Sequence, residues 1–192
     1  LEDLACFMAG WQKTDRPSVG QALALVFAGN HGICDKGVNP FPQEVTAQMV
    51  ANFENGGAAI NQLCRSAGAD LDVVALDLDR PTADFSEGRA MTEAEVLDAM
   101  QRGAKAIPPS ANVLILGEMG IGNSTVAAAL ACAAIGGDAA DWVGRGTGSD
   151  DDGKALKARV IDQGRQMHAD ARGLHLLCAY GGREQAAICG AV

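Results

Sequence analysis

A carboxylate and two glycines stand together at the end of an apolar run near the middle of the chain. Residues 117–125 read GEMGIGNST. Val113-Leu114-Ile115-Leu116 leads in, and an alanine-rich helical pattern from Val126 to Ile135 leads out. Gly120 and Gly122 permit a tight turn and let backbone amides come close to a ligand. Ser124 or Thr125 can cap the helix that follows, and its N-terminus favours an anion. The stretch is not a Walker A loop, because no Gly-Lys-Ser/Thr follows, and it lacks the third glycine of a dinucleotide fingerprint. By itself GxG is equally a tight strand-to-helix turn. Glu118 points further. A carboxylate at a strand's end is costly to bury unless it is paired or used, and ribose hydroxyls are good donors to such a group.

Other stretches carry chemically useful side chains. WVGRGTGSDDDGKALK, residues 142–157, places Gly144, Gly146 and Gly148 in one loop with Arg145 and Thr147. Asp150 to Asp152 then suit the start of a helix, with Lys154 and Lys157 in its opening turns. The segment reads either as a solvated helix start or as a cation reaching a phosphate. Upstream, Asn30-His31-Gly32 opens a loop rich in Gly and Pro. His31 is a candidate general acid or base, or a hydrogen-bonded anchor for the loop. Phe41, held stiffly between two prolines, is either a core plug or a wall for a flat ring. His168 and His175 read as surface or packing residues. No His/Cys/acid cluster has metal-ligand spacing, and no GxSxG elbow supports hydrolase chemistry.

The elements that must position these residues alternate between two periods. Leu4 to Trp11 has helical spacing, with Leu4, Phe7, Met8 and Trp11 on one face. Leu23 to Ala28, Leu71 to Leu76 and Val113 to Leu116 are short apolar runs that read as strands. Asp141 to Gly144 is a possible fourth strand. Helices are expected over Val45 to Phe53 and Ala58 to Ala67, broken at Gly56-Gly57. Another runs from a capping box at Thr92 and Glu95 to about Ile107. Two more cover the alanine-rich run and Ala155 to Ala169, and GGREQAAICGAV begins a last one. Apolar strands separated by helices argue for parallel βαβ units and a sheet buried on both faces. Ligands then bind beyond the carboxyl ends of the strands, where the loops after the first, second and third strands all lie.

Composition narrows the classes. The 192 residues suffice for one full domain. Apolar residues make up 48% and charged residues 20%, as a globular core requires. The net charge of −9 gives a nucleic-acid role no support. Any phosphate must therefore be held locally, by amides and a few cations. Six cysteines without a CxxC pair read as reduced, mostly buried thiols of a cytoplasmic protein. No run approaches the roughly 18 apolar residues of a membrane span, and the acids in LEDLACFMAGW are unlike a signal peptide.

Four segments, taken in order, resemble one family. They are VFAGNHGICDKGVNPFPQEVTAQMVANFENGGAAINQL, GEMGIGNSTVAAAL, DWVGRGTGSDDDG and GGREQAAICGAV. The family is that of nicotinate-nucleotide:dimethylbenzimidazole phosphoribosyltransferases, and the resemblance runs over nearly the whole chain. It implies transfer of phosphoribosyl from nicotinate mononucleotide to 5,6-dimethylbenzimidazole. The products are α-ribazole 5′-phosphate and nicotinate, and the setting is assembly of the cobalamin lower ligand. It implies a cytoplasmic homodimer that needs no metal or organic cofactor. The implied fold is a Rossmann-like parallel α/β sheet flanked by helices, with part of a small helical domain from the termini. Residues 1–20 would belong to that small domain and residues 21–192 to the central nucleotide-binding domain, incomplete at its C-terminus.

The resemblance also assigns residues. Glu118 would lie near the ribose and the reacting centre. Gly120, Gly122 and Asn123, with neighbouring amides, would cradle the nucleotide. Gly146 and Gly148 would shape the wall around it, and Lys157, ahead of Lys154, would stand near the phosphate. Phe41, Gln43 and Met49 would line the base pocket. Two departures accompany this match. Asn30 stands where the family often has Asp, and the family's C-terminal general-base glutamate has no counterpart here. The chain is therefore expected to bind nicotinate mononucleotide weakly and to turn over negligibly alone. A nucleotide-binding module without catalysis fits the same residues, and an oxidoreductase is disfavoured by the incomplete GxGxxG.

Overall fold

The computed structural model describes residues 1–192. Three parallel strands, β1 (Ala22–Ala28), β2 (Asp70–Ala75) and β3 (Val113–Met119), form one sheet in the order β2-β1-β3. In register, Val26 pairs with Val73 on one side and with Gly117 on the other. Around the sheet stand α1 (Glu2–Gln12), α2 (Glu44–Glu54), α3 (Ala59–Ala67), α4 (Glu93–Lys105), α5 (Asn123–Ile135), α6 (Ala139–Trp142), α7 (Asp151–Met167), α8 (Leu174–Tyr180) and α9 (Arg183–Ala191). A short 3-10 turn, Gly32–Lys36, follows β1.

Burial follows the order of the strands. β1 is the central strand, and every residue after Ala22 is buried, which is why ALALVFA contains nothing polar. The expectation of strands buried on both faces holds for β1 alone. β2 exposes Asp70 and Asp72, and Ile115 of β3 is 44% exposed. Leu23, Leu25 and Phe27 of β1 pack with Ala187 and Ala191, so α9 covers that face of the sheet. α4 lies on α9 with almost no side chain between them. A Cβ on Gly103 would stand 1.8 Å from the Ala187 carbonyl oxygen, and one on Gly190 2.0 Å from that of Met100. The largest core cluster joins α5, α7 and α8 through Val126, Ala129, Cys132, Val160, Ile161 and Tyr180. No helix is long and apolar enough to cross a membrane.

Several boundaries match the sequence reading. At α4, the Thr92 hydroxyl accepts from the Glu95 amide at 3.2 Å and the Glu95 carboxylate accepts from the Thr92 amide at 2.9 Å. Others need correction. Asp141 to Gly144 is not a strand: Asp138 opens the single helical turn α6, and Trp142 Nε1 donates to the Gly136 carbonyl at 2.9 Å. A local turn thus satisfies the polar groups that a sheet neighbour would have had to satisfy. α7 begins at Asp151, among the acids that suit a helix start and ahead of the run from Ala155, because the Asp150 side chain accepts from the Gly153 amide. α8 has only seven residues and follows no periodic signal long enough to read. Cys64, Cys132 and Cys178 are buried, but Cys6 and Cys189 are exposed, so the thiols are less buried than expected.

Strand order locates the site. The chain leaves β1 for one edge of the sheet and later returns to its other edge as β3. β1 and β3 therefore flank a topological switch point, beyond whose carboxyl ends the loops diverge and leave a crevice. The segments Gly29–His31 and Glu118–Gly122 meet there, with the Gly29 amide donating to the Met119 carbonyl at 3.0 Å.

Candidate nucleotide site

Glu118 is the penultimate residue of β3, in register with Phe27. Its carboxylate accepts a hydrogen bond from the Asn123 side-chain amide, which ties the strand end to the first turn of α5. Part of the side chain reaches solvent, yet the carboxyl is crowded by protein. That desolvation holds its pKa above the usual carboxylate value. The Asn123 hydrogen bond opposes the shift, nearby Glu184 adds to it and His31 opposes it.

The turn between β3 and α5 is held from beneath. Gly122 has φ +87°, a left-handed conformation that L side chains rarely adopt. It is also the N-cap of α5, and neither Ser124 nor Thr125 caps the helix as expected. The intervening peptide is clamped on both sides. Thr46 of α2 accepts from the Ile121 amide at 3.1 Å, and the Cys34 thiol donates to the Ile121 carbonyl at 3.0 Å. Burial, with a smaller push from Asp35, drives the Cys34 pKa up to about 12, so this thiol keeps its proton and acts as a donor.

A cation closes the other side. Lys157 on α7 is 2% exposed, and its ammonium donates to the Gly144 carbonyl at 3.3 Å. Desolvation lowers its pKa. Gly146, at φ +53°, brings the loop against both Lys157 and α5. A Cβ there would lie 3.1 Å from Ser124 Oγ and 3.3 Å from Lys157 Nζ. The glycine loop, the buried ammonium and the first turn of α5 therefore converge, and a helix N-terminus with a lysine beside it is a ready anion cradle. Gly148, at φ +118°, completes the loop.

The remaining sequence candidates divide. Asn39 Nδ2 donates to Thr147 Oγ1 at 3.2 Å, which joins the first loop to the glycine loop. Phe41 is 48% exposed and so is not a core plug. Gln43 precedes α2 and Met49 lies half-buried on it. That helix also supplies Thr46 to the turn. His31 is fully buried in the loop's interior, an arrangement that favours the anchor over the acid or base. It lies 2.9 Å from Glu184 of α9, itself fully buried. Asn30 donates to the Leu78 carbonyl at 2.8 Å, a bond that needs its amide hydrogens. His168 packs edge-on against Tyr180, and its Nε2 lies 3.0 Å from the carbonyls of Phe85 and Gly88. Lys154 is half-buried at the start of α7. Sequence reasoning missed Thr46 and Glu184. Thr46 is one polar residue in an ordinary helical pattern, and Glu184 resembles a routine acid in the first turn of a helix. A cavity of about 860 Å³ lies between Ile135, Arg165 and Arg172 at the far end of α5, roughly 20 Å from the cradle at 1.5 Å per helical residue.

A parallel α/β sheet with a carboxylate, a helix N-terminus and a buried lysine converging at its switch point defines a class. Such proteins bind phosphorylated small molecules beyond the carboxyl ends of their strands. The family model described as Phosphoribosyltransferase (DBI_PRT) matches residues 1–192, and the chain belongs to that family. It is 62% identical over 192 residues to a nicotinate-nucleotide–dimethylbenzimidazole phosphoribosyltransferase of Rhodobacter capsulatus, covering all of this chain and 58% of that protein. A protein of the same name from Ruegeria pomeroyi is 56% identical, with 57% of its length covered. Among solved structures, a phosphoribosyltransferase of that name from Thermus thermophilus superposes with a TM-score of 0.91 at 33% identity, over 99% of this chain and 62% of that one. The chain thus spans a little under three fifths of the length of the curated relatives it matches.

Proposed function

We propose that this chain supplies the nucleotide and base sites of an enzyme that transfers phosphoribosyl from nicotinate mononucleotide to 5,6-dimethylbenzimidazole, yielding α-ribazole 5′-phosphate and nicotinate for cobalamin synthesis. The observation that carries the reading is a chain of contacts: Glu118 accepts from Asn123 in the first turn of α5, and Gly146 brings Ser124 of that turn against buried Lys157. The relatives' names and the family match supply the substrates.

The chemistry suits those groups. Departure of nicotinate leaves positive charge on the ribose ring, and a carboxylate beside it stabilises that charge more than the ground state. In this reading Glu118 is that carboxylate, while Gly120, Gly122 and Asn123 cradle the nucleotide. Lys157 holds the 5′-phosphate, and a dianion there restores the charge partner that burial denies it. Gly146 and Gly148 wall the nucleotide, and Phe41, Gln43 and Met49 form the base pocket. An exposed Phe41 beside two prolines suits the outer wall for a flat ring. His31 supports the loop from inside. Residues 1–20 belong to a separate small helical domain, consistent with an α1 that buries no residue, and residues 21–192 form the nucleotide-binding domain. The protein acts as a cytoplasmic homodimer. The compartment suits six unpaired cysteines, and the dimer follows the family resemblance.

Calorimetric titration with nicotinate mononucleotide, and chromatographic assay for α-ribazole 5′-phosphate after adding dimethylbenzimidazole, test the reading. Lys157→Met is expected to weaken nucleotide binding at least about tenfold, the scale of one lost charge-assisted contact. Its melting temperature should hold or rise, because a buried ammonium without a counter-charge is removed. Binding that is indifferent to Lys157 would remove the phosphate assignment. Binding without product, in this chain and in a form extended to the relatives' length, would leave a nucleotide-binding module instead.

A further inference from the structure

Two ionisable side chains lie wholly inside the protein behind the candidate site. His31 and Glu184 are inaccessible to solvent, and imidazole Nε2 stands 2.9 Å from carboxylate Oε1. The two atoms are close but poorly aligned, and neither carboxylate oxygen nor ring nitrogen has a well-aligned hydrogen-bond partner. Burying such a pair is costly compared with an apolar plug of the same volume.

Space for the pair is made by three glycines. A Cβ on Gly29 would stand 2.4 Å from Glu184 Oε2, and one on Gly120 2.8 Å from His31 Nε2. A Cβ on Gly182 would stand 2.4 Å from His31 Cε1 and 2.6 Å from Glu184 Oε1. These glycines belong to the end of β1, the turn after β3 and the N-terminus of α9, the segments that meet behind the crevice. The main core clusters are filled with aliphatic and aromatic groups. Here three backbones stand back from an acid and an imidazole.

The pair lies beneath the backbone that carries Glu118: Gly120, two residues on, passes over His31 Nε2, and Gly29, whose amide donates to the neighbouring Met119 carbonyl, passes over Glu184 Oε2. The groups around the Glu118 carboxyl are the Asn123 amide from α5, His31 from the loop after β1 and Glu184 from α9. Neighbouring Arg183 is engaged elsewhere, with Glu95 and the Arg80 carbonyl, and Lys157 of α7 with the Gly144 carbonyl. Glu184 and His31 therefore act on Glu118 in opposite senses.

We propose that Glu184 is a positioning residue of this site: it fixes the His31 imidazole beneath the Gly120–Gly122 turn and, with it, sets the electrostatic surroundings of Glu118. The proposal rests on the phosphoribosyl reading only in giving Glu118 a task.

The test is a carbon-13 NMR titration of the Glu118 carboxyl in this chain, its signal identified by its loss in E118Q. In E184Q a like charge is removed, and Glu118 is expected to titrate at lower pH than in the parent. In H31Q the imidazole is removed, and Glu118 is expected to titrate at higher pH. Mere loosening of the interior would relieve desolvation and move both variants downward. Opposite displacements support the proposal; an unmoved titration in E184Q, or downward movement in both, overturns it. If circular dichroism shows E184Q unfolded, the upward displacement in H31Q decides alone. If both unfold, the pair is a folding device and the proposal fails. No substrate enters the measurement, so its failure is distinct from failure of the turnover assay.

Discussion

At the scale of single residues, the site is a place where stability is given up. Glu118 is crowded enough for its pKa to be raised, so the folded protein favours its protonated form. The contribution to stability is present in full below the unfolded value near 4.5 and is lost as pH rises through the higher folded value. Glu118→Gln should therefore melt at a higher temperature than the parent at pH 7 to 8, with the gap closing toward pH 4. Thermal melts across that range check it, and equal melting temperatures at pH 8 would count against a desolvated Glu118. The same substitution should cost turnover on the order of 10²-fold in a catalytically competent form, the scale of one lost electrostatic group in an active site. Stability gained with activity lost is the signature of a functional carboxylate. Glu118 and Lys157 each stand beside a glycine pattern, but that pattern fits a plain turn or a solvated helix start as well, and it was the family resemblance that singled the two residues out. Glu184 and Cys34 were not singled out. Their partners, His31 and the Ile121 peptide, are brought to them by tertiary packing, which local pattern does not encode.

At the scale of elements, the strands were legible where burial was complete. β1 is a continuous apolar run because it lies between two neighbours and under α9, and the capping box at Thr92 marked the start of α4. The reading failed where structure is short and local, as in α6 and α8. It failed also in treating all three strands as doubly buried, since an edge strand can carry Asp70 and Asp72. The contact that most constrains the elements leaves a faint trace in sequence. α4 and α9 approach through Gly103 and Gly190, and the atoms that a Cβ would strike are backbone rather than flexible side chain. Gly103→Ala gains about 1 kcal/mol in intrinsic helix propensity, yet overpacking typically costs about 1–3 kcal/mol. With backbone as the obstacle, net destabilisation is expected. Because α9 also carries Glu184, nucleotide affinity should fall together with stability. Urea denaturation of Gly103→Ala, and of Gly190→Ala as its counterpart, measures the first effect. A variant more stable than the parent would show that the helices separate easily.

At the scale of the whole molecule, charge works against the ligand. The chain carries 24 acidic and 15 basic residues, a net charge of −9, while the ligand proposed for it is an anion. Attraction is confined to the first turn of α5 and to Lys157, which is buried and so projects little field into solution. An approaching nucleotide therefore meets repulsion at long range and attraction only on arrival. Salt separates the two. The Debye length falls from about 30 Å at 0.01 M to about 8 Å at 0.15 M, which screens the distant acids but leaves contacts inside the crevice nearly untouched. Association of nicotinate mononucleotide should consequently speed up several-fold between those ionic strengths, with dissociation almost unchanged. This is the reverse of the behaviour of an electrostatically steered anion. Stopped-flow binding at constant pH measures both rates. An association rate that falls with salt would mean that the crevice projects a positive field the net charge conceals, and Arg145, exposed on the glycine loop with only a 3.6 Å contact to Asp151, would then be its source.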